Sequence, residues 1–246
     1  MLDFSSMKSE LRYGTPTADQ ILINHFYTVG YSYYFRQARW ALEIVRPERA
    51  LLTKTARLND FRPDLRVPKQ FRADLSDYSE SGYDRGHLVS SADQESAELQ
   101  NSETFLLSNM SPQKPEFNRR KWEDLERSVR KLNEQKGILQ TFAIAGPIFN
   151  FEDATKMIGK DDENGISIPV PSHFFKCVLT EDNRGALKMW AFEMENTELK
   201  ESLDKYQVTT AYIEKKVGIC IWGNLTGKEI EIEKNQIRDL WEIPQK

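Results

Sequence analysis

Between residues 21 and 34 aromatic and β-branched side chains crowd together, with Phe26, Tyr27, Val29, Tyr31, Tyr33 and Tyr34 in one run. That density predicts a strand, and the Trp40-Ala41-Leu42 segment within 39–45 predicts its partner or successor. Residues 46–81 break the pattern with Pro47, Pro63, Pro68 and scattered charge, which predicts an irregular, loop-rich passage. A polar helix is expected over 95–102 and a short buried strand over 104–110. Trp122, Leu125, Val129 and Leu132 then recur at i, i+3, i+7 and i+10, which predicts a helix over 118–131 with Gly137 soon after its end. Further strands are expected at 138–148, 166–179, 187–194 and 219–222. Residues 197–205 read as a short helix and 208–214 as a connection. Strands predominate beside one or two substantial helices, which makes the fold class α+β. No repeat or linker divides the chain, so residues 1–246 read as one domain.

Composition adds a bound. A chain of 246 residues with 39% apolar and 11% aromatic content packs a substantial core and is not generally disordered. The formal charge of −4 does not advertise a nucleic-acid binder, but it is unevenly spread. From Arg36 to Arg72 ten cations face four carboxylates, a local excess of +6, enough to attract a polyanion; solvated surface charge is the plainer alternative. Cys177 and Cys220 lie in apolar runs without metal-ligand spacing and read as buried free thiols. No apolar run reaches the roughly 20 residues of a membrane span, so no membrane association is expected. Without a signal-peptide core at the N-terminus, the chain reads as soluble and cytoplasmic, or organellar or secreted if a leader has been removed.

The chemistry gathers around Tyr83-Asp84-Arg85-Gly86-His87. With only His25, His87 and His173 in the chain, a histidine-rich zinc cluster is out of reach. A histidine near its ordinary pKa of about 6.5 can take a proton from an attacking water, which makes His87 the candidate general base; alone, it would read as a turn histidine. Gly86 lets the backbone turn or approach another group closely, and Arg85 offers a fork of donors to phosphate. Asp84 reads as a structural salt-bridge partner. Asn118 is a neutral oxygen ligand of the kind Mg²⁺ accepts, and equally a residue favoured as a helix N-cap. Glu126, eight positions on, lies near the same side of the helix and could reach metal-bound water; alone it would pair with Arg130. Arg119, Arg120 and Lys121 occupy the first predicted helical turn, where the macrodipole disfavours cations. Their expected role is to face substrate phosphates.

In order along the chain come Tyr83–Leu88, Leu107-Ser108-Asn109-Met110-Ser111-Pro112-Gln113, Asn118-x-x-x-Trp122-x-x-Leu125-Glu126 and Ala145-Gly146-Pro147-Ile148-Phe149. The set resembles the DNA/RNA non-specific endonuclease family, and Pro169–Lys176 resembles one of its strands. The resemblance implies a central antiparallel sheet flanked by helices and carrying a ββα-metal (His-Me finger) site, its core at about 83–132. It further implies His87 as general base, Asn118 as direct Mg²⁺ ligand, Glu126 as a ligand through water, Arg85 on phosphate and Asn109 in support. Two departures stand out. Arg119-Arg120-Lys121 replaces smaller or uncharged residues usual after the metal asparagine, and the family's second transition-state arginine matches either Arg57 or Arg62.

The function expected is therefore Mg²⁺-dependent hydrolysis of DNA and RNA with little sequence selectivity, with Mn²⁺ an alternative ion. Family members are often dimers, and an inhibitor or regulator is an expected partner of an intracellular nuclease. Two rivals stand beside this reading. An HNH-type nuclease would require a second metal-binding histidine, and a silent nucleic-acid-binding or adaptor protein would have lost His87 or Asn118.

Overall fold

A computed structural model of the protein describes residues 8–46, 55–152, 154–159 and 167–241. Arg49 and Lys54 of the basic stretch, Ile166 and the N-terminal residues 1–7 lie outside them. The strands are Gln20–Ile23 (β1), Tyr27–Ser32 (β2), Gln37–Ile44 (β3), Asp84–His87 (β4), Met110–Gln113 (β5), Ile138–Ile148 (β6), Met157–Ile158 (β7), Ile168–Pro169 (β8), His173–Asp182 (β9), Leu187–Glu195 (β10) and Gln207–Val208 (β11). Seven of them form an antiparallel sheet in the order β1-β2-β3-β6-β9-β10-β11, while β4-β5 and β7-β8 are separate two-stranded ribbons. The α-helices are Leu75–Tyr78 (α1), Glu98–Glu103 (α2), Glu123–Asn133 (α3), Thr210–Val217 (α4) and Lys228–Asn235 (α5).

The sheet is covered on both faces, and its period-two alternation separates two cores. Along β9, Phe174 and Val178 join one core with Trp122, Leu125 and Val129 of the helical segment. Phe175, Cys177 and Leu179 point the other way and pack with Ile213, Ile221 and Trp222. Burying both faces explains why these strands read as nearly continuous apolar runs. Thr209 caps α4 by accepting from the Tyr212 amide at 3.1 Å, and Gly218 ends it at φ 64°, where a side chain would be strained.

Several predicted elements are corrected. The run 21–34 is a hairpin rather than one strand, because the polar Asn24-His25 step turns it between β1 and β2. Residues 104–110 form turns and a 3₁₀ segment at Leu107–Asn109, with the strand displaced to β5. The 166–179 run is broken at Val170–Ser172. Residues 197–205 lack a helix beyond the start of the 3₁₀ turn Leu203–Tyr206, whereas the expected connection begins α4. Residues 219–222 run into a turn instead of forming a strand, with Ile219, Ile221 and Trp222 buried and Trp222 at φ 54°. Helix α5 escapes the pattern because Glu and Ile alternate within it. Cys177 is a buried free thiol as expected, but Cys220 is exposed.

Candidate active site

The four residues read as a turn, Asp84–His87, are a strand. β4 pairs antiparallel with β5, setting His87 opposite Met110 and Gly86 opposite Ser111. A Cβ at Gly86 would overlap the Gln113 side chain, so glycine serves close approach here, not a sharp bend. Asn109 is fully buried and fixes the ribbon's exit: it donates to the Val89 and Thr104 carbonyls at 2.9 Å each and accepts from the Val89 amide at 3.0 Å. Trp122 donates its indole N–H to the His87 carbonyl at 3.2 Å, tying the strand to the helix.

The helical segment differs from expectation at its start. It begins before Asn118, runs as a π-helix over Phe117–Trp122 and continues as α3. Asn118 therefore caps nothing. The i→i+5 turn advances each residue through a smaller angle than an α-helix, so the eight steps from Asn118 to Glu126 come closer to whole turns. Both side chains line one cavity of about 280 Å³, together with His87, Arg85, Arg57 and Arg130.

Asp84 governs the near wall of this cavity. It accepts from Asn118 Nδ2 at 2.9 Å and from Arg119 Nε and Nη2 at 2.8 and 2.7 Å. The Asn118 amide nitrogen is thereby held, leaving its carbonyl oxygen as the pole without a partner among the described residues. The same contacts give two cations of the Arg119-Arg120-Lys121 run partners within the fold. Arg119 is anchored by Asp84, and Arg120 pairs with Glu198 at 2.9 Å. Of the three, Arg119 lines the cavity.

The histidine is enclosed by rings the sequence reading missed. Phe61 and Phe105 meet the His87 ring edge-on at centroid distances of 5.7 and 5.0 Å. Arg85 stacks over Phe61 at 4.3 Å and Arg57 over Phe105 at 5.5 Å. These Phe residues therefore shelter the imidazole and position both cations. Neither carries a motif of its own: Phe61 stands between Asp60 and Arg62, and Phe105 lies in the apolar run expected as a buried strand. The imidazole reaches solvent only in part, and its buried Nε2 has no hydrogen-bond partner among the described residues. Burial, with the Arg57 charge adding to it, pushes the His87 pKa down to about 3.

That shift has a stability consequence. The folded histidine stays neutral where an unfolded one, with pKa about 6.5, takes up a proton. Its contribution is thus complete above about pH 6.5 and lost progressively as pH falls below that value. Urea melts in EDTA between pH 7 and 4.5 are expected to show a wild-type slope steeper than that of His87→Asn, by up to about 1.4 kcal/mol per pH unit. Equal slopes would contradict the enclosed neutral ring.

The two arginine candidates separate cleanly. Arg57 lines the cavity. Arg62 donates to Asp60 Oδ2, the Asp60 carbonyl and the Ser102 carbonyl at 2.9, 3.1 and 3.0 Å, outside the cavity. Arg57→Ala is expected to lower kcat/KM for DNA by about 10²–10³, the scale of losing one preorganised donor. Arg62→Ala should act on the melting temperature and leave kcat within a few-fold; the reverse pattern in steady-state kinetics would exchange their roles.

The comparisons with known proteins now bear on this geometry. Residues 8–227 match the model of the DNA/RNA non-specific endonuclease family. The chain belongs to that family. It is 31% identical to the mitochondrial endonuclease G of Caenorhabditis elegans over 89% of this chain and 73% of that protein. It is 32% identical to nuclease C1 of Cunninghamella echinulata var. echinulata over 89% of each. Among solved structures, an EndoG/EndoGI complex described as a mechanism of EndoG inhibition matches with a TM-score of 0.79 and 28% identity, covering 89% of this chain and 91% of that one. The protein is a nuclease with a nucleic-acid substrate, and it has the family's α+β fold.

Behind the nuclease cavity lies a buried charged layer. Glu126 is 7% exposed, and its carboxylate faces Lys176 of β9 at 3.9 Å. Burial raises the Glu126 pKa, and Lys176 opposes that shift. The expected partner Arg130 turns instead to Asp93 at 3.1 Å. Glu43 of β3, fully buried with its pKa driven well up by burial, accepts from Gln94 at 2.8 Å. Lys176 lay unread in an apolar strand; its signal was one charge at an inward position of a core run. Among the described residues no helix is long and apolar enough to cross a membrane, and no three His, Cys, Asp or Glu side chains cluster as a metal cage.

Proposed function

We propose that the protein is a Mg²⁺-dependent endonuclease that hydrolyses phosphodiester bonds of DNA and RNA with little sequence selectivity, Mn²⁺ being able to replace Mg²⁺. The carrying observation is the convergence of His87, Asn118, Glu126, Arg57 and Arg85 on one cavity. The donor set fits a hard divalent ion. Among the described residues the Asn118 carbonyl oxygen has no partner, its amide nitrogen being held by Asp84, and Glu126 Oε1 is buried without a hydrogen bond. An ion that keeps several waters requires only one or two such protein groups. Asn118 would hold it directly and Glu126 through water. When bound, the ion supplies Lewis-acid neutralisation of charge on the scissile phosphate and the departing 3′-oxygen.

The chain's own residues carry the rest. His87, unprotonated at neutral pH, accepts the proton of the attacking water. Its depressed pKa keeps the ring free, and a phosphate arriving beside Arg57 offsets one cause of that depression and strengthens the base. Arg85 and Arg57, held on the Phe61 and Phe105 rings, donate to phosphate oxygens as charge builds. Contacts of this kind read phosphate and sugar, which leaves base sequence largely unread. Arg119, Arg120 and Lys121 add positive potential beside the cavity. The proposal extends to a homodimer and to control by a protein inhibitor or regulator; the EndoG/EndoGI complex supports the latter by its relative's example.

Supercoiled plasmid and a folded RNA are both expected to be cut with Mg²⁺ and left intact with EDTA. Cleavage that persists in EDTA overturns the metal requirement. Asp84→Ala frees the Asn118 amide to rotate, so the Mg²⁺ concentration that gives a half-maximal thermal shift should rise about 10- to 100-fold. An unchanged titration would remove Asn118 as the ligand that Asp84 orients.

A further inference from the structure

A second cavity, of about 300 Å³, lies at the other end of the β4-β5 ribbon. Tyr83, immediately before β4, and Lys114, immediately after β5, line it together with His173, Lys156 and Phe149. We propose that this cavity is an accessory subsite for a phosphate and unpaired base of the nucleic-acid strand, flanking the bond cleaved at His87. The proposal rests on the nuclease reading above and adds a binding site to it.

The chemistry of the walls selects an anion attached to a planar group. Neither Lys114 nor Lys156 forms an ion pair among the described residues, unlike Arg119 and Arg120 nearby. The Lys114 ammonium instead stands over the Tyr83 ring at 4.6 Å. Among the described residues of the lining, Glu195 is the one carboxylate beside these two lysines. Phe149, the phenylalanine on the lining, is held by stacking against Phe35 at 4.3 Å and Phe151 at 5.9 Å. Cations that track phosphates beside aromatic faces that accept bases of any identity are the two elements of single-strand recognition.

The walls are built, not loosely assembled. The buried Asn196 accepts from the Lys114 amide at 2.8 Å and donates to the Pro112 and Pro171 carbonyls at 3.1 and 3.0 Å, joining three segments. Ser172 accepts from the Asn150 amide at 3.0 Å and contacts His173 Nδ1 at 3.0 Å. The Lys156 carbonyl accepts from the Val170 amide at 2.8 Å. The cavity is also coupled to the catalytic one through the backbone. The Asn118 amide donates to the Lys114 carbonyl at 2.9 Å, and Asp84, which holds the Asn118 side chain, follows Tyr83 directly. A strand passing one cavity is thereby aligned with the other.

The test pairs Lys114→Ala/Lys156→Ala with the wild-type chain in two measurements. Binding of a labelled 12-nucleotide single strand is followed in EDTA across salt concentrations, and hydrolysis of a small chromogenic phosphodiester, too short to reach both cavities, is followed with Mg²⁺. The subsite predicts roughly tenfold weaker oligonucleotide binding, a log–log salt slope shallower by about 1.4, the value for two phosphate contacts on a single strand, and small-diester hydrolysis within twofold of wild type. Unchanged oligonucleotide binding with normal hydrolysis overturns the subsite and leaves the nuclease reading standing. Inorganic phosphate that protects wild type but not the variant against thermal unfolding, with oligonucleotide affinity unchanged, makes the cavity a free-anion site and overturns the strand assignment. A wild-type chain that neither binds the strand nor cleaves the diester overturns both readings together.

Discussion

His87→Ala is expected to remove plasmid cleavage by a factor of about 10²–10⁴ or more while the protein remains folded. The size of the effect follows from the site. No other imidazole lines the cavity that holds Asn118 and Glu126. Glu126 and Glu123, the nearest carboxylates on the helix, cannot substitute without abandoning their own positions. The fold should survive because the change removes a ring from an enclosure of Phe61 and Phe105 without leaving a buried charge behind. Its Nε2 makes no hydrogen bond that the variant would lose. Cleavage would be read on supercoiled DNA with Mg²⁺, and the fold by circular dichroism and retained cooperative melting. Metal-dependent nicking at more than a tenth of the wild-type rate would remove His87 from the role of general base.

Lys176→Met is expected to have the largest effect on stability. The ammonium is 2% exposed, lies 3.9 Å from Glu126 Oε1 and stands 4.9 Å above the Trp122 ring. Methionine keeps most of the volume and removes the charge, which leaves Glu126 and Glu43 in a buried layer without this cation. Breaking one side of such a pair costs on the order of 3–5 kcal/mol. For a chain of this size that corresponds to a melting temperature lower by roughly 10 °C. Lys176→Met/Glu126→Gln should recover part of the loss, since the second change removes the stranded carboxylate. A single variant melting within about 2 °C of wild type would show that Lys176 does not hold Glu126. Activity should fall as well, because Lys176 opposes the rise in the Glu126 pKa and its removal favours the protonated acid at neutral pH.

The buried lysine beneath the cavity holds Glu126 where the proposed metal site requires a carboxylate. An exposed helix glutamate would pair with Arg130 and swing freely. Here Asp93 takes Arg130 and the sheet presents Lys176, so the carboxylate is fixed from below. The same logic applies on the near wall, where Asp84 orients the Asn118 amide and anchors Arg119.

Much of this was legible in the chain, and for identifiable reasons. Strands β3, β6 and β10 are long and largely buried, so their apolar runs were legible, and so was most of β9. Trp122, Leu125, Val129 and Leu132 declared the helix by their period. His87, Asn118 and Glu126 could be singled out because their residue types are scarce or come in a recognisable order. Turn-like segments failed where polar residues pair in a ribbon: Asp84–His87 looked like a bend because three of its four residues are charged or small, yet it is a strand. Residues 219–222 failed in the opposite sense, since burial of Ile221 and Trp222 occurs in a turn packed on the sheet.

Local periodicity and residue chemistry, properties of the chain alone, were enough for the nuclease class, the α+β fold and the three residues that share the candidate cavity. Which arginine faces the cavity, what holds Asn118 and Glu126, and why His87 stays neutral came from the folded chain. Each of those depends on partners far away in sequence: Asp84 on Asn118, Lys176 on Glu126, Phe61 and Phe105 around His87. Burial and long-range pairing set a side chain's charge and direction, and neither is encoded in its immediate neighbours.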